Sequence, residues 1–237
     1  MLKSLRALVS ELGAPLAVLY AIHVALGRIS GGRARLVPYA FTAQPIGHAE
    51  GVAVRADPGT VIRLASSDDP MVATFPRPPD VLAIRYRSGA QCYAAIVKGR
   101  FAGHIWIRRN HYDEDEVRCR YVLAAPHNSV WDFDVYVVPE YRLGRTLARL
   151  WQAVDAALAE QGVQWTFSRI SLFNPASLKA HARLGAVRVS SAVFVVLGRL
   201  QLGFFSRAPF VHVSVDRAPT IFLTPPLGVM TASSSVA

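Results

Sequence analysis

The stretch VYVVPEYRLGRTLARLW, residues 135–151, predicts a strand that passes through a proline turn into a helix. A β-rich run ends at Val138, Pro139 stops the strand, and the leucines that follow recur at helical spacing. This order brings the unpaired amides of a helix N-terminus to the edge of a sheet, beside Arg142 and Arg145. Such a site can hold a phosphate group. The alternative is an ordinary strand-to-helix turn with solvated arginines, since neither a P-loop lysine nor GxGxxG is present.

A second stretch, NPASLKAHARLGA at residues 174–186, predicts a short helix with both ends marked. Asn174 is a favoured N-cap, the proline after it suits the first helical position, and Gly185 can close the helix in a left-handed turn. His181 lies one turn after Ser177 among alanines, where packing alone asks for nothing polar.

The remaining pattern predicts an α/β fold: a mixed, mostly antiparallel sheet flanked by helices. The predicted strands are Cys92–Val97, Phe101–Arg108, Val117–Ala124, Val130–Val138, Trp165–Ile170 and Val193–Leu200, and the predicted helices are Arg142–Gln161 and Pro175–Leu184. Residues 57–79 are rich in Pro, Asp and Ser and predict loops and short turns. We expect residues 1–45 to form an apolar helical extension, 46–205 the main domain, and 206–237 a C-terminal extension with a frayed tail.

Composition predicts a well-packed chain that prefers anionic partners. Apolar residues make up 52% of the 237, and the formal net charge is +10. This excess favours phosphorylated cofactors, nucleic acid or an acidic membrane face, and does not by itself choose among them. The two cysteines, Cys92 and Cys119, are too few for a disulfide scaffold, so the cytoplasm is the expected compartment.

The apolar run LGAPLAVLYAIHVAL, residues 12–26, is shorter than the roughly 20 residues that a membrane-spanning helix needs. We expect a helix packed on the domain. The alternative is a helix at a membrane surface, because Arg28, Arg33 and Arg35 follow directly and can meet acidic headgroups. That alternative places the protein at the inner face of a membrane.

Together the two opening stretches resemble the GNAT N-acetyltransferase superfamily. In that family a strand followed by V-x-P-x-[YF]-R-x-x-G-x-[GA] holds the pyrophosphate of acetyl-coenzyme A on backbone amides, and residues 137–142 match the first half. The second half departs, with the glycine one place early at Gly144 and with Arg145 and Leu147 at the usual glycine positions.

The second family pattern, N-x-x-A-x-x-x-Y-x-x-x-G-[FA], follows about 30 residues later. It falls on Asn174, Ser177, His181, Gly185 and Ala186, with serine at the small-residue place and histidine in place of tyrosine. The resemblance covers residues 85–200 and implies a GNAT-like fold.

The resemblance implies that acetyl-CoA or another acyl-CoA is the co-substrate and that no metal is needed. The implied cofactor-binding residues are Val137, Val138, Arg142, Leu143, Gly144, Arg145, Thr146, Asn174 and Ser177. It also implies that the sheet splays beside residues 131–138, with the thioester in the gap.

Three residues are the candidate catalytic groups. Alternation along VWDFDVYVV predicts that Asp132, Asp134 and Tyr136 share one face, where a carboxylate can take the proton of an attacking amine. The alternative for either aspartate is a loop cap or a pair with an arginine. His181 stands where the family often has a tyrosine that protonates the departing sulfur, and imidazole gives a proton at neutral pH more readily than phenol. Its alternative is a structural histidine.

The predicted function is transfer of an acetyl or longer acyl group from an acyl-CoA to an unidentified small or lipophilic amine. An acyl carrier protein is an alternative donor, since an acidic carrier suits a basic surface. The competing hypothesis is a non-catalytic acyl-CoA-binding or membrane-associated module. Nucleic-acid binding is not favoured, because the basic residues are scattered and not interleaved with aromatic residues. The run DEDE, residues 113–116, predicts a solvated turn.

Overall fold

The computed structural model describes residues 5–47, 55 and 57–226. Within those residues the helices are α1 (Leu5–Leu12), α2 (Ala14–Ile29), α3 (Pro79–Arg87), α4 (Thr146–Glu160) and α5 (Pro175–Arg183). The strands are β1 (Ala34–Pro45), β2 (Thr60–Ala65), β3 (Gln91–Val97), β4 (Arg100–Arg108), β5 (His111–Asp113), β6 (Arg120–Leu123), β7 (Ser129–Val137), β8 (Trp165–Ser171), β9 (Val187–Leu197), β10 (Leu200–Phe205), β11 (Val211–Ser214) and β12 (Thr220–Leu223).

Nine of these strands form one mixed sheet in the order β11-β10-β9-β1-β8-β7-β4-β3-β2, and β12, β6 and β5 form a second, small sheet. In the large sheet only β7 and β8 run parallel, and every other neighbouring pair is antiparallel. The predicted fold class, a mixed and mostly antiparallel sheet flanked by helices, is therefore confirmed.

The predicted boundary at residue 45 is wrong, because β1 lies in the middle of the large sheet. It pairs with β8 from Tyr39 to Pro45 and with β9 from Ala34 to Ala43. Ten of its twelve positions are buried, and a strand covered on both faces shows no apolar–polar alternation in its sequence. Among the described residues up to 45, only α1 and α2 correspond to the expected helical extension.

Two other predictions need correction. Residues 57–79 contain β2 and a 3-10 turn, Pro70–Thr74, as well as loops, and the predicted strand Val193–Leu200 is divided by a turn between β9 and β10. The C-terminal segment is part of the fold as far as β12, which pairs in parallel with β6. The predicted frayed tail lies outside the described residues.

The two faces of the large sheet are covered differently. The small sheet packs on one face and encloses an aromatic core around Tyr39, Phe41, Tyr121 and Trp131. The helix α4 packs on the other face over β3 and β4, where its apolar stripe of Leu150, Trp151, Val154 and Leu158 is buried. Contacts between α2 and β1 lie on this second face as well, because the first face of β1 is already covered by the small sheet.

Candidate active site

The parallel strands β7 and β8 diverge at the centre of the large sheet. Their pairing covers only Ser129–Trp131 against Trp165–Phe167, while β7 continues to Val137 and β8 to Ser171 without a partner on that side. The predicted gap beside residues 131–138 is therefore present. It opens toward the carboxyl ends of both strands, where the turn into α4 and the start of α5 follow.

The turn from β7 into α4 carries several unpaired backbone amides. Arg145 is the N-cap residue of α4, and its side chain makes no capping hydrogen bond. Among the described residues, no hydrogen-bond acceptor pairs with the amides of Leu143, Arg145, Thr146, Leu147 and Ala148. These donors, together with the positive end of the helix dipole, form a site for a phosphate oxygen.

Other predicted cofactor-binding amides are already used. The Val138 amide donates to the Ala102 carbonyl at 2.9 Å, and the Gly144 amide donates to the Tyr141 carbonyl at 3.2 Å. The Val137 carbonyl accepts a hydrogen bond of 2.9 Å from Nε of Arg142. The donor set is thus displaced toward the first turn of α4, and Leu147 and Ala148 belong to it although the predicted cofactor-binding residues of this turn ended at Thr146.

Both arginines of this turn are exposed to solvent. Arg142 also lies over the Tyr136 ring, with its guanidinium carbon 5.9 Å from the ring centroid, so its orientation is fixed from the strand side. Arg145 makes no ion pair with any residue in the described ranges, which leaves its charge available for an anion.

A β-bulge in β7 changes the face on which Asp134 lies. His104 pairs with Tyr136 and Trp106 with Phe133, so two residues of β7 lie opposite one residue of β4, and Asp134 takes a left-handed φ of 48°. Asp132 is opposite Ile107, on the α4 side of the sheet, whereas Asp134 lies beside His104 on the other side. The prediction that Asp132 and Asp134 share a face is therefore wrong.

The bulge also depends on Gly103 of β4. A Cβ atom at that position would lie 2.5 Å from the Tyr136 carbonyl oxygen and 3.2 Å from Cα of Val137. Only glycine permits this approach of β4 to β7, so Gly103 fixes the strand that borders the gap.

Asp134 is held by three cationic or imidazole groups. Arg77 and Arg85 both form ion pairs with its carboxylate, and Nε2 of His104 lies 3.5 Å from Oδ2. Although burial alone would raise it, these hydrogen bonds hold the pKa of Asp134 well below its usual range. The structure thus supports the alternative for Asp134, pairing with arginines, and gives it little basicity.

Arg85 is itself positioned by aromatic residues. Its guanidinium carbon lies 5.2 Å from the ring centroids of both Trp106 and Phe133. No local signal in the sequence indicated Arg77, Arg85 or His104, since each reaches Asp134 from a different segment.

Asp132 is a buried carboxylate at the point where the strands diverge. It accepts hydrogen bonds from Thr166 Oγ1 at 2.7 Å and from Ser168 Oγ at 2.6 Å, both on β8. Burial raises its pKa, while the nearby His181 and these hydroxyls act in the opposite direction. Neither alternative for Asp132, a loop cap or an arginine pair, describes what it does.

His181 lies near Asp132 on the same side of the gap. It is 8% exposed, its ring meets Trp151 edge-on at 5.9 Å, and its Nδ1 is buried without a hydrogen-bond partner. Nδ1 of His181 therefore lacks the hydrogen bond to the backbone that a structural histidine would make. The helix start is as predicted, because Oδ1 of Asn174 accepts a hydrogen bond from the Ser177 amide at 3.1 Å. Cofactor contacts of Asn174 and Ser177 stay a prediction.

A pocket of about 290 Å³ opens on the face that carries Asp134. Its wall includes residues 131–134 of β7, and three arginines (Arg77, Arg85 and Arg169) stand around it with Tyr112 and Asp115. Because residues 131–134 border both the pocket and the gap, a group held in the pocket lies next to the divergence of β7 and β8.

The prediction of a solvated turn for the run DEDE is wrong at Glu114. Its side chain is fully buried and forms an ion pair with Arg169 at 2.6 Å, and Oε2 has no hydrogen-bond partner. Burial raises the pKa of Glu114 to about 7. Arg169 in turn lies over the Tyr39 ring at 4.5 Å. No local pattern indicated this pair, because its members are far apart along the chain.

The described residues contain no group of three His, Cys, Asp or Glu side chains arranged to hold a metal ion.

No protein-family model matches this chain, and no curated protein matches it. Among solved structures, the chain is similar to a GNAT-family protein from Novosphingobium aromaticivorans, with 22% identity, a TM-score of 0.45, and coverage of 69% of this chain and 66% of that one. The match thus spans just under two thirds of the solved chain.

Two further solved structures are similar. A conserved protein of unknown function from Staphylococcus epidermidis has 10% identity and a TM-score of 0.49, covering 84% of this chain and 82% of that one. A tandem GNAT protein from the clavulanic acid biosynthesis pathway has 15% identity and a TM-score of 0.49, covering 73% and 57%. GNAT proteins are thus among the structures that the chain resembles in fold, and at these TM-scores the likeness assigns no activity.

Proposed function

We propose that this protein is an acyl-CoA-dependent N-acyltransferase. The observation that carries the proposal is the set of unpaired amides at residues 143 and 145–148, located after the carboxyl end of β7, which diverges from β8. A phosphate-binding turn alone is common, and a gap alone is not specific. Their combination fits a long ligand with a pyrophosphate at one end and a thioester arm at the other.

The residues present fit coenzyme A at this place. The amides of Arg145, Thr146 and Leu147 would hold the pyrophosphate, with Arg145 adding a full positive charge. The arm would enter the gap between β7 and β8, where unpaired strand edges can hydrogen-bond its amide groups. Bound acyl-CoA supplies an activated carbonyl carbon, and the protein residues supply orientation and proton transfer.

In the proposed reaction, the amine nitrogen attacks the thioester carbonyl carbon, a C–N bond forms, and the C–S bond breaks. The amine proton must leave and the thiolate must gain one. Asp132 would take the amine proton, since its raised pKa makes it a stronger base than an exposed carboxylate. His181, on the same side of the gap, would protonate the sulfur. Asp134 instead fixes Arg77 and Arg85 at the pocket wall.

The acceptor amine would occupy the pocket of about 290 Å³. Its wall carries both arginines and carboxylates, so a polar acceptor fits it better than the lipophilic amine expected from the sequence. The acyl chain length and the carrier, free coenzyme A or an acyl carrier protein, are distinguished by comparing these donors in a thiol-release assay.

One observation favours the non-catalytic module as a second candidate. The amides of Val138 and Gly144 are already hydrogen-bonded within the turn, which reduces the number of donors for a pyrophosphate. A protein that binds acyl-CoA weakly, without turnover, would also have these features.

The test is release of free thiol from acetyl-CoA, longer acyl-CoAs and an acyl carrier protein against a panel of amines, together with calorimetric binding of coenzyme A. Arg145→Glu should weaken binding at least tenfold by placing a carboxylate at the phosphate site. Arg100→Glu, an exposed arginine at the β3–β4 turn, is the matched control and should bind normally. Binding without thiol release from any pair would favour the module, and no binding of coenzyme A would refute both.

His181→Phe separates the two interpretations of this histidine. If it donates the proton, turnover should fall by roughly 10²–10⁴ while coenzyme A affinity is unchanged. Full turnover in this variant would make His181 a structural residue.

A further inference from the structure

Helix α2 presents its apolar side to solvent. Of its sixteen residues only Ala17 is buried. Exposed residues recur at helical spacing along one side, at Pro15, Val18, Ile22, Ala25 and Ile29, and the exposed fractions of Val18 and Ile29 are 57% and 87%.

The other side of α2 contacts the protein. Ala17 is buried there, Nδ1 of His23 accepts a hydrogen bond of 3.3 Å from the Leu36 amide of β1, and the Tyr20 ring packs on Phe173 at 5.2 Å. The helix is thus apolar on both sides, and among the described residues its outer aliphatic stripe stays exposed.

The strands β9, β10 and β11 leave a second apolar surface uncovered. Phe194 and Phe205 point into the aromatic core, so their neighbours in sequence point to the opposite face. Cross-strand pairs on that opposite face are Leu197 with Leu200, Leu202 with Val213, and Phe204 with Val211. Phe204, Val211 and Val213 are 46%, 55% and 57% exposed.

These two surfaces lie on the same side of the large sheet. The small sheet covers the opposite side of β1 and β9, and α2 contacts β1, the direct neighbour of β9. We call the stripe of α2 and the uncovered side of β9–β11 the apolar face. Patches of this kind on a folded protein mark a contact with a membrane or a partner.

The charge around the apolar face is almost entirely positive. Residues 5–47 and 171–214, which include α2 and β9–β11, contain nine Lys or Arg residues and one acidic residue, Glu11. Arg28 lies in the last turn of α2, Arg199 at the β9–β10 turn and Arg207 at the β10–β11 turn, and all three are exposed. These arginines lie next to the apolar residues, as basic residues do in helices that lie in the plane of a membrane surface.

We propose that the apolar face docks on an anionic phospholipid bilayer, with its apolar residues at the level of the headgroup–acyl boundary and the bordering arginines on lipid phosphates. A second copy of the chain on the same face would bring two positive rims together, which is electrostatically unfavourable. None of the helices in the described ranges is long and apolar enough to cross a bilayer, and docking in the interface plane does not require one.

The test is vesicle flotation of the full chain at low ionic strength. Vesicles of phosphatidylcholine with one third phosphatidylglycerol should carry the protein, and pure phosphatidylcholine vesicles should carry much less. Added salt should release it. The double variant Val211→Ser with Val213→Ser should lose about tenfold in affinity, since it replaces two exposed aliphatic side chains of the apolar face.

Matched controls lie elsewhere on the surface. Ile84→Ser in α3 changes a side chain that is 57% exposed, like Val213, and should leave flotation unchanged. Arg199→Glu with Arg207→Glu should weaken binding by about tenfold or more, whereas Arg87→Glu with Arg100→Glu should not.

Circular dichroism and the unfolding midpoint check that each variant is folded. Three results would overturn the proposal: no flotation with anionic vesicles, equal losses in the test and control variants, or a concentration-dependent dimer that the Val211 and Val213 changes abolish. The last result would assign the apolar face to a second copy.

Discussion

Replacing Glu114 by Gln should remove a specific pH dependence from the stability of this protein. The Glu114 side chain is fully buried, it lies 2.6 Å from the Arg169 guanidinium, and one carboxylate oxygen has no hydrogen-bond partner. Burial raises its pKa from 4.5 to about 7, although Arg169 acts in the opposite direction.

These two pKa values determine the direction and the size of the pH effect on stability. Because the folded-state pKa is above the unfolded-state value, the folded protein binds this proton more tightly. The resulting stabilisation is fully present below about pH 4.5 and is lost as the pH rises through about 7. The difference between the two pKa values corresponds to about 3 kcal/mol in the free energy of unfolding.

Urea unfolding of the wild type and of Glu114→Gln, at several pH values from about 4 to 8, measures this directly. Other titrating groups are common to both proteins and cancel in the difference. The stability of Glu114→Gln relative to the wild type should rise by about 3 kcal/mol across this range. Glu160→Gln, at an exposed residue in the last turn of α4, should leave the pH dependence unchanged. A difference between Glu114→Gln and wild type that stays constant with pH would refute the reasoning.

Three further changes test the surroundings of the gap. Gly103→Ala should lower the free energy of unfolding by about 1–3 kcal/mol and reduce thiol release, because its Cβ would collide with β7. Gly27→Ala, where the added Cβ has no neighbour within 4 Å, should be neutral or stabilising. Equal changes in the free energy of unfolding for the two variants would contradict the close approach of β4 to β7. Arg85→Met should cost about 1–3 kcal/mol in urea unfolding by leaving a buried carboxylate short of a partner, and should cost more than Arg63→Met at an exposed ion pair. Asn174→Ala should lose about 1 kcal/mol with the N-cap of α5 while Asn174→Asp keeps it, and a similar loss in both would exclude capping as the reason.

The sequence by itself determined the elements whose signals are local. The β3–β4 hairpin followed from two β-rich runs around Lys98 and Gly99, and the turn from β7 into α4 followed from Pro139 and the leucine spacing. The helix α5 followed from Asn174, whose side chain caps it as predicted. In each case the interactions that form the element join residues close together in the chain, so a local sequence pattern is sufficient to predict them. The gap between β7 and β8 was predicted only through the family resemblance of residues 137–142 and 174–186, not from the local pattern.

The tertiary structure alone decided which side chains meet. The bulge that moves Asp134 to the face of His104 depends on contact between β4 and β7. The alternation of residues within β7 alone does not predict it. The burial of Glu114 depends on Arg169, a residue far away in the chain. The insertion of β1 between β8 and β9 joins the N-terminal segment to strands near the other end. Because burial, pairing and pKa shifts arise from such distant contacts, residue type and spacing along the chain do not determine them.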